Sequence, residues 1–189
     1  MKSKVIILTM AILIIFMVGC ENQDLTTPQQ TTPPETEPDV VTTPSIVDNE
    51  EDFKKTISNE GSWIICLTED LTIEEEIVLA GEYTNGKKDD NGNEIIQRKV
   101  ALYSQDDNRN VTDRYTLTAP RFTIESPNAS IQHGTFKGDL YVSASNFELV
   151  GTKVDGNLLF TNDEAKTTFS IDDESEVTGK QELVEESTD

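Results

Sequence analysis

Three kinds of hydrophobic patterning follow one another along the chain. Residues 5–18, VIILTMAILIIFMV, form an apolar run broken only by Thr9. Residues 21–47, ENQDLTTPQQTTPPETEPDVVTTPSIV, show no periodicity, no aromatic and no basic residue, and hold five of the seven prolines and seven threonines. From Gly61 onward short apolar alternations take over: WIICL, LTI, IVL, VALY, YTLT, FTIE, LYV, FELV, LLF and FSI. Alternation at period two marks strands with one buried face, so residues 48–189 read as an all-β domain. One stretch departs from it. In DNEEDFKKTIS, Asp48 or Asn49 can cap, acids fill the first turn, and Phe53 and Ile57 share a face at i and i+4, which predicts one short helix at the front.

The alternations repeat. IQHGTFKGDLYV from Ile131, LVGTKVDGNLLF from Leu149 and IDDESEVTGKQEL from Ile171 align on a glycine. Ile131, Leu149 and Ile171 form one apolar column, Phe136, Val154 and Val177 a second, and Val142, Phe160 and Leu183 a third. The steps are 18 and then 22 or 23 residues, and Gly138, Gly156 and Gly179 follow the second column, where φ > 0 or a tight bend is easiest. Three short strands cannot close a core alone, whereas stacked repeats bury like columns above one another. A sandwich of hairpins is the alternative. Its Asn-Gly signals occur only at Asn85-Gly86 and Asn91-Gly92, outside the repeat. A solenoid is therefore expected.

The leading segment carries two lysines, an apolar run of 14 residues and the small residue Gly19, the layout of an export signal. A bilayer-spanning helix takes roughly 20 residues. Met17-Val18-Gly19-Cys20 resembles the lipobox of bacterial lipoproteins, with Met where Leu is usual. That resemblance implies a signal peptide over residues 1–19, a diacylglycerol on the Cys20 thiol, and a mature chain beginning at Cys20. Two acyl chains hold a protein on a membrane stably where one binds marginally. The expected location is extracytoplasmic, lipid-anchored to the bacterial cell membrane. Cys66 then has no intramolecular partner, and in WIICL it reads as a buried small hydrophobe.

Residues 20–47 are too poor in apolar side chains to offset their ordering entropy and read as a disordered tether after the lipidated cysteine. Their Thr/Pro content also fits a glycosylated stalk. Without the two leading lysines, 13 basic residues face 36 acidic ones, a net charge of −23. Nucleic acid and anionic headgroups call for positive footprints and are excluded as partners. Acidity of this order suits solubility, and is compatible with weak Ca2+ binding outside the cell.

GDLYV, GNLLF and the FELVGTKVDGNLLF that carries the second of them resemble the right-handed parallel β-helices of the pectin-lyase-like superfamily, well over residues 115–183 and loosely over 61–110. The resemblance implies a short right-handed parallel β-helix (solenoid) with an N-terminal capping helix, the role Phe53 and Ile57 would serve. Enzymes of that superfamily use clustered aspartates, with Ca2+ and an arginine or as facing carboxylates. Here Asp139, Asp155 and Asp172-Asp173 fall at or near repeat corners without forming an identifiable pair, and no catalytic or metal-ligating residue transfers. His133 lies in a turn and reads as solvated. KKDDNGNE, residues 87–94, fails the calcium-loop spacing because Lys87 stands first when Gly92 is sixth, and reads as a hairpin tip. Three to five coils make a stack of about 15 to 25 Å, short for a long polysaccharide. The expected function is a non-enzymatic surface module that binds a cell-wall or extracellular glycan or a protein partner, through residues the sequence does not identify. Tyr141 is the clearest outward aromatic. The alternative is an enzyme, or enzyme subunit, acting on extracellular polysaccharide.

Overall fold

A computed structural model describes residues 45–184. Cys20, the leading run and residues 21–44 lie outside them, as do residues 185–189. The chain opens with β1 (Ser45–Val47), helix α1 (Glu50–Ile57), β2 (Ile64–Leu67), β3 (Leu71–Thr72) and β4 (Ile77–Leu79). A hairpin of β5 (Thr84–Lys88) and β6 (Glu94–Ile96) precedes β7 (Arg98–Ala101), and a second one, β8 (Tyr103–Gln105) and β9 (Val111–Arg114), precedes the long β10 (Thr116–Ile124). Next come β11 (Ala129–Gln132) and β12 (Thr135–Val142), then β13 (Glu148–Val150), β14 (Lys153–Asp155) and β15 (Leu158–Phe160). Helix α2 (Asp163–Thr168) leads into β16 (Ser170–Ile171), β17 (Glu176–Val177) and β18 (Gln181–Leu183).

The protein is mostly β-strand, and its strands fall into two principal sheets. The first runs β1-β2-β7-β11-β13-β16; the second runs β3-β10-β12-β14-β17, with β4 on β10, β15 on β12 and β18 on β15. Every pairing in these two sheets is parallel. Among the described residues antiparallel pairing is confined to the two hairpins.

The three apolar columns of the sequence are columns of paired residues. Ile131 pairs with Leu149 and Leu149 with Ile171; Phe136 with Val154 and Val154 with Val177; Val142 with Phe160 and Phe160 with Leu183. The same columns continue towards the N-terminus through Val100 and Ile65, Leu117 and Leu71, and Ile124 and Leu79. Up to Leu149, Val154 and Phe160 the inward side chains along them are buried in one continuous core, with Val177 packed against it.

Gly138, Gly156 and Gly179 lie where the second sheet bends, and only Gly138 among them has positive φ, 138°. What fixes them is close approach between passes. A Cβ at Gly138 would lie 1.8 Å from the Ala119 carbonyl oxygen, one at Gly156 2.0 Å from that of Gly138, and one at Gly179 2.5 Å from that of Gly156. Each glycine thus makes room for a backbone carbonyl of the pass before it.

Several sequence expectations change. The folded body takes in Ser45–Val47, which composition had assigned to the tether, because Ser45, Ile46 and Val47 pair with Ile65, Cys66 and Leu67. The front helix is not the only one. Asn162 caps the six-residue α2 by accepting from the Ala165 backbone N–H at 2.8 Å, and this helix accounts for the longer final step of the repeat. Asn91-Gly92 is a hairpin turn as expected, but Asn85-Gly86 lies inside β5 at an irregularity in its pairing. His133 is not a solvated turn residue, as described below.

Helix α1 forms as its pattern predicts, with Asn49 accepting from the Asp52 N–H at 2.9 Å and with Phe53 and Ile57 buried. Its far end is held by Arg98, whose position in β7 turns it inward beside Val100. The guanidinium is fully buried. It donates to the carbonyls of Thr56 (2.5 Å), Ser58 (3.0 Å) and Ser62 (3.2 Å) and lies 4.4 Å from the Tyr83 ring centroid. Carbonyls at a helix C-terminus lack helical partners and favour a cation. Burial pulls the Arg98 pKa down to about 10, so the charge persists at neutral pH. Arg98→Met strands these carbonyls and should cost about 3 kcal/mol in urea unfolding; a loss below about 1 kcal/mol would show that α1 is held by other means.

Candidate functional site

The carboxylates singled out in the sequence do not converge. Asp139 accepts from the backbone N–H and side-chain amide of Asn157 at 3.1 and 2.8 Å. Asp155 accepts from the Thr178 hydroxyl at 3.3 Å. Asp172 sits at a different corner, accepting from the Ser175 hydroxyl at 2.6 Å and the Gly151 N–H at 3.0 Å, which hold its carboxyl below the usual range. Asp173 is exposed. Among the described residues no three His, Cys, Asp or Glu side chains come together as a metal site.

The 87–94 segment is a hairpin tip. Asp89 accepts from the N–H groups of Asn91 and Asn93 and from the Asn93 amide, at 2.9, 2.9 and 3.0 Å. The second hairpin repeats this chemistry at Asp106, with Asn108 and Asn110 at 2.9, 2.8 and 2.9 Å. DDNGN and DDNRN are thus one turn used twice, with Gly92 (φ 85°) and Arg109 (φ 67°) in the left-handed place.

The second hairpin builds a feature that hydrophobic patterning did not locate. Along β2, Ile65 and Leu67 face the core, so Ile64 and Cys66 face outward; along β7, Lys99 and Ala101 do the same. The β8–β9 hairpin folds beside this outer surface. Trp63, Ile64, Cys66, Lys99, Ala101, Tyr103, Gln105 and Arg109 then line a groove of about 620 Å3. Two other depressions, about 500 and 350 Å3, include carboxylates, Asp89 and Glu94 in one and Asp52 and Glu60 in the other. This groove has no carboxylate in its wall.

Its wall carries two cationic side chains, Lys99 and Arg109. Lys99 is half-buried, and burial lowers its pKa, with Cys66 opposing and Lys87 adding to the effect. Ion pairs among the described residues involve Lys54, with Glu50 and Glu75, and Lys180, with Glu182. Lys99 and Arg109 form none of them. Cys66 is not a core residue: it is half-buried in the groove wall, where burial raises the thiol pKa above its usual value and keeps it protonated. Burial likewise raises the Tyr103 pKa.

His133 adjoins the groove and is half-buried, with φ 56° and its ring edge-on to Tyr103 at 4.7 Å. Burial lowers its pKa, with Arg114 adding to the effect and Glu174 and Asp172 opposing it. His133 Nδ1 and Trp63 Nε1 are both buried without a hydrogen-bond partner. Tyr141 does face outward, but the Arg121 guanidinium lies 3.7 Å from its ring centroid and covers one face. The aromatic side chains in the groove wall are Trp63, directly before β2, and Tyr103, from the hairpin inserted next to it.

No family model matches the sequence, and no curated protein or solved structure matches it.

Proposed function

We propose that the chain is a lipid-anchored extracytoplasmic binding module. In this reading it is a short right-handed parallel β-helix of the pectin-lyase-like kind, closed at its N-terminal end by α1, that binds an anionic glycan in the groove without chemistry of its own. The parallel pairing of successive passes supports the β-helix, and parallel connections of this sort are right-handed in nearly all cases. The burial of Phe53 and Ile57 supports the capping role of α1.

The observation that carries the binding reading is Lys99, a half-buried ammonium with no carboxylate in the groove wall, in a chain with a net charge of −21. An uncompensated charge out of water is costly, and a ligand carboxylate or phosphate would remove that cost. Trp63, Ile64 and Tyr103 supply apolar surface for the faces of a sugar ring, and Gln105 a polar contact, the mixture typical of ligand pockets. Arg109 supplies a second cation from the hairpin tip. The separate engagement of Asp139, Asp155 and Asp172 favours binding over hydrolysis, which needs two carboxylates across one sugar.

Titration of the full chain in neutral detergent with oligogalacturonate and with an uncharged oligosaccharide of equal length tests the site. Binding of the charged sugar should be at least about tenfold tighter, an interaction difference near 1.4 kcal/mol, and should be lost in Lys99→Glu. Equal affinity for both sugars, or unchanged binding by Lys99→Glu, would overturn the assignment. The anchor is tested separately: Cys20→Ala should leave the signal uncut or release the protein from membranes, and a wild-type mature N-terminus other than modified Cys20, read by mass spectrometry, would refute it.

A further inference from the structure

The two ends of the strand stack differ. At the N-terminal end α1 packs Phe53 and Ile57 into the core. At the other end the three columns stop on Ile171, Val177 and Leu183, and Ile171 and Leu183 are 41% and 42% exposed although their column neighbours Leu149 and Phe160 are buried. The strands that carry them, β16, β17 and β18, each pair on one side, with β13, β14 and β15. Among the described residues their other edges have no strand partner, the template for a further strand. Glu185–Asp189, the residues that follow, contain no apolar side chain with which to continue a column.

The charges around this end select the occupant. Asp172, Asp173, Glu174, Glu176 and Glu182 lie on the final pass, and Lys180, the one basic residue between Ile171 and Val184, is 3.6 Å from Glu182. A second copy meeting it by the same end would bring two such acidic rims together, and like charges across an interface oppose association. A cationic polypeptide meets the opposite situation.

We propose that the end formed by β16, β17 and β18 is a docking surface for a basic polypeptide segment, which adds as an extended strand and covers Ile171 and Leu183. The segment alternates apolar and basic residues, so that its apolar face extends a column and its cations meet the acidic rim. This surface is separate from the groove, and its occupancy does not depend on the groove's ligand.

The probe is an end-blocked heptapeptide of alternating lysine and valine, added to the full chain in neutral detergent. It is compared with a lysine–proline heptapeptide of the same charge, which lacks half of the strand donors. The expected result is binding at least tenfold tighter for the lysine–valine peptide, weakened at least tenfold by Ile171→Glu or Leu183→Glu. Both positions are already exposed, so the fold should tolerate the changes; amide exchange on the wild-type protein gives a second readout, with new protection confined to β16–β18. Equal binding of the two peptides would reduce the effect to general attraction and overturn the proposal. New protection at β1 or β4, or self-association of the chain without peptide binding, would also overturn it.

Discussion

Gly156→Val is expected to lower the melting midpoint of the domain by about 10 °C or more, a loss of at least about 3 kcal/mol. A Cβ at Gly156 would stand 2.0 Å from the Gly138 carbonyl oxygen and 2.6 Å from its carbon. Neither atom belongs to a side chain that can rotate away. Relief therefore requires two passes to separate, and the ladder on both sides of the bend loosens with them. Gly92→Ala is the matched comparison. Nothing lies within 4 Å of a Cβ there, and the cost is that of φ 85° alone, about 1 kcal/mol. Similar melting of the two variants would show that the glycine column does not hold the passes in contact.

Val154→Asp is expected to leave little folded protein. Val154 is fully buried, with Phe136 and Val177 on either side of it in its column. Truncation to alanine removes two methyl groups and should cost about 1 to 3 kcal/mol; aspartate adds a buried charge with no partner in reach, on a domain whose total stability is of order 5 to 15 kcal/mol. Lys153, one residue earlier, is exposed. Lys153→Ala should melt within about 2 °C of the wild type. Far-ultraviolet circular dichroism on heating distinguishes the outcomes, and equal melting temperatures would refute the inward assignment of Val154.

Much of this architecture is legible in the sequence because stacking imposes identity of character at fixed steps. Phe136, Val154 and Val177 must all be apolar to cover one another, and Gly138, Gly156 and Gly179 must all lack a Cβ. The earlier passes obey the same rule through Leu71 and Leu117, yet their spacing hides it. Two hairpins, residues 84–96 and 103–114, interrupt the chain between equivalent strands, and no constant step survives. Ser45–Val47 was hidden differently, since three residues after a proline-rich stretch carry no period of their own.

The groove was less legible than the fold. Its walls come from β2, β7 and an inserted hairpin, brought together by pairing of Ile64 with Lys99 and Cys66 with Ala101 across 35 residues. Periodicity identifies which residues of WIICL face the core; it does not say what covers the other side. Arg98 and Lys99 are adjacent basic residues with opposite fates, one sealing α1 from inside and the other facing the groove. Which side each takes depends on the register of β7. His133 was misread for a related reason: a left-handed turn residue is normally solvated, but Tyr103 from the inserted hairpin covers this one.

The most direct test of the stacked arrangement is the pattern of nuclear Overhauser effects between Hα protons of neighbouring strands. Antiparallel strands bring opposed Cα atoms to about 4.5 Å at alternate positions, close enough for strong Hα–Hα signals, whereas parallel strands are staggered and give none of comparable strength. Strong Hα–Hα signals are expected within the β5–β6 and β8–β9 hairpins and not between residues 115 and 183, where amide-to-Hα contacts should instead link Phe136 with Val154 and Val154 with Val177. Strong Hα–Hα signals within residues 115–183 would mean that hairpins replace the parallel passes, and would contradict the account.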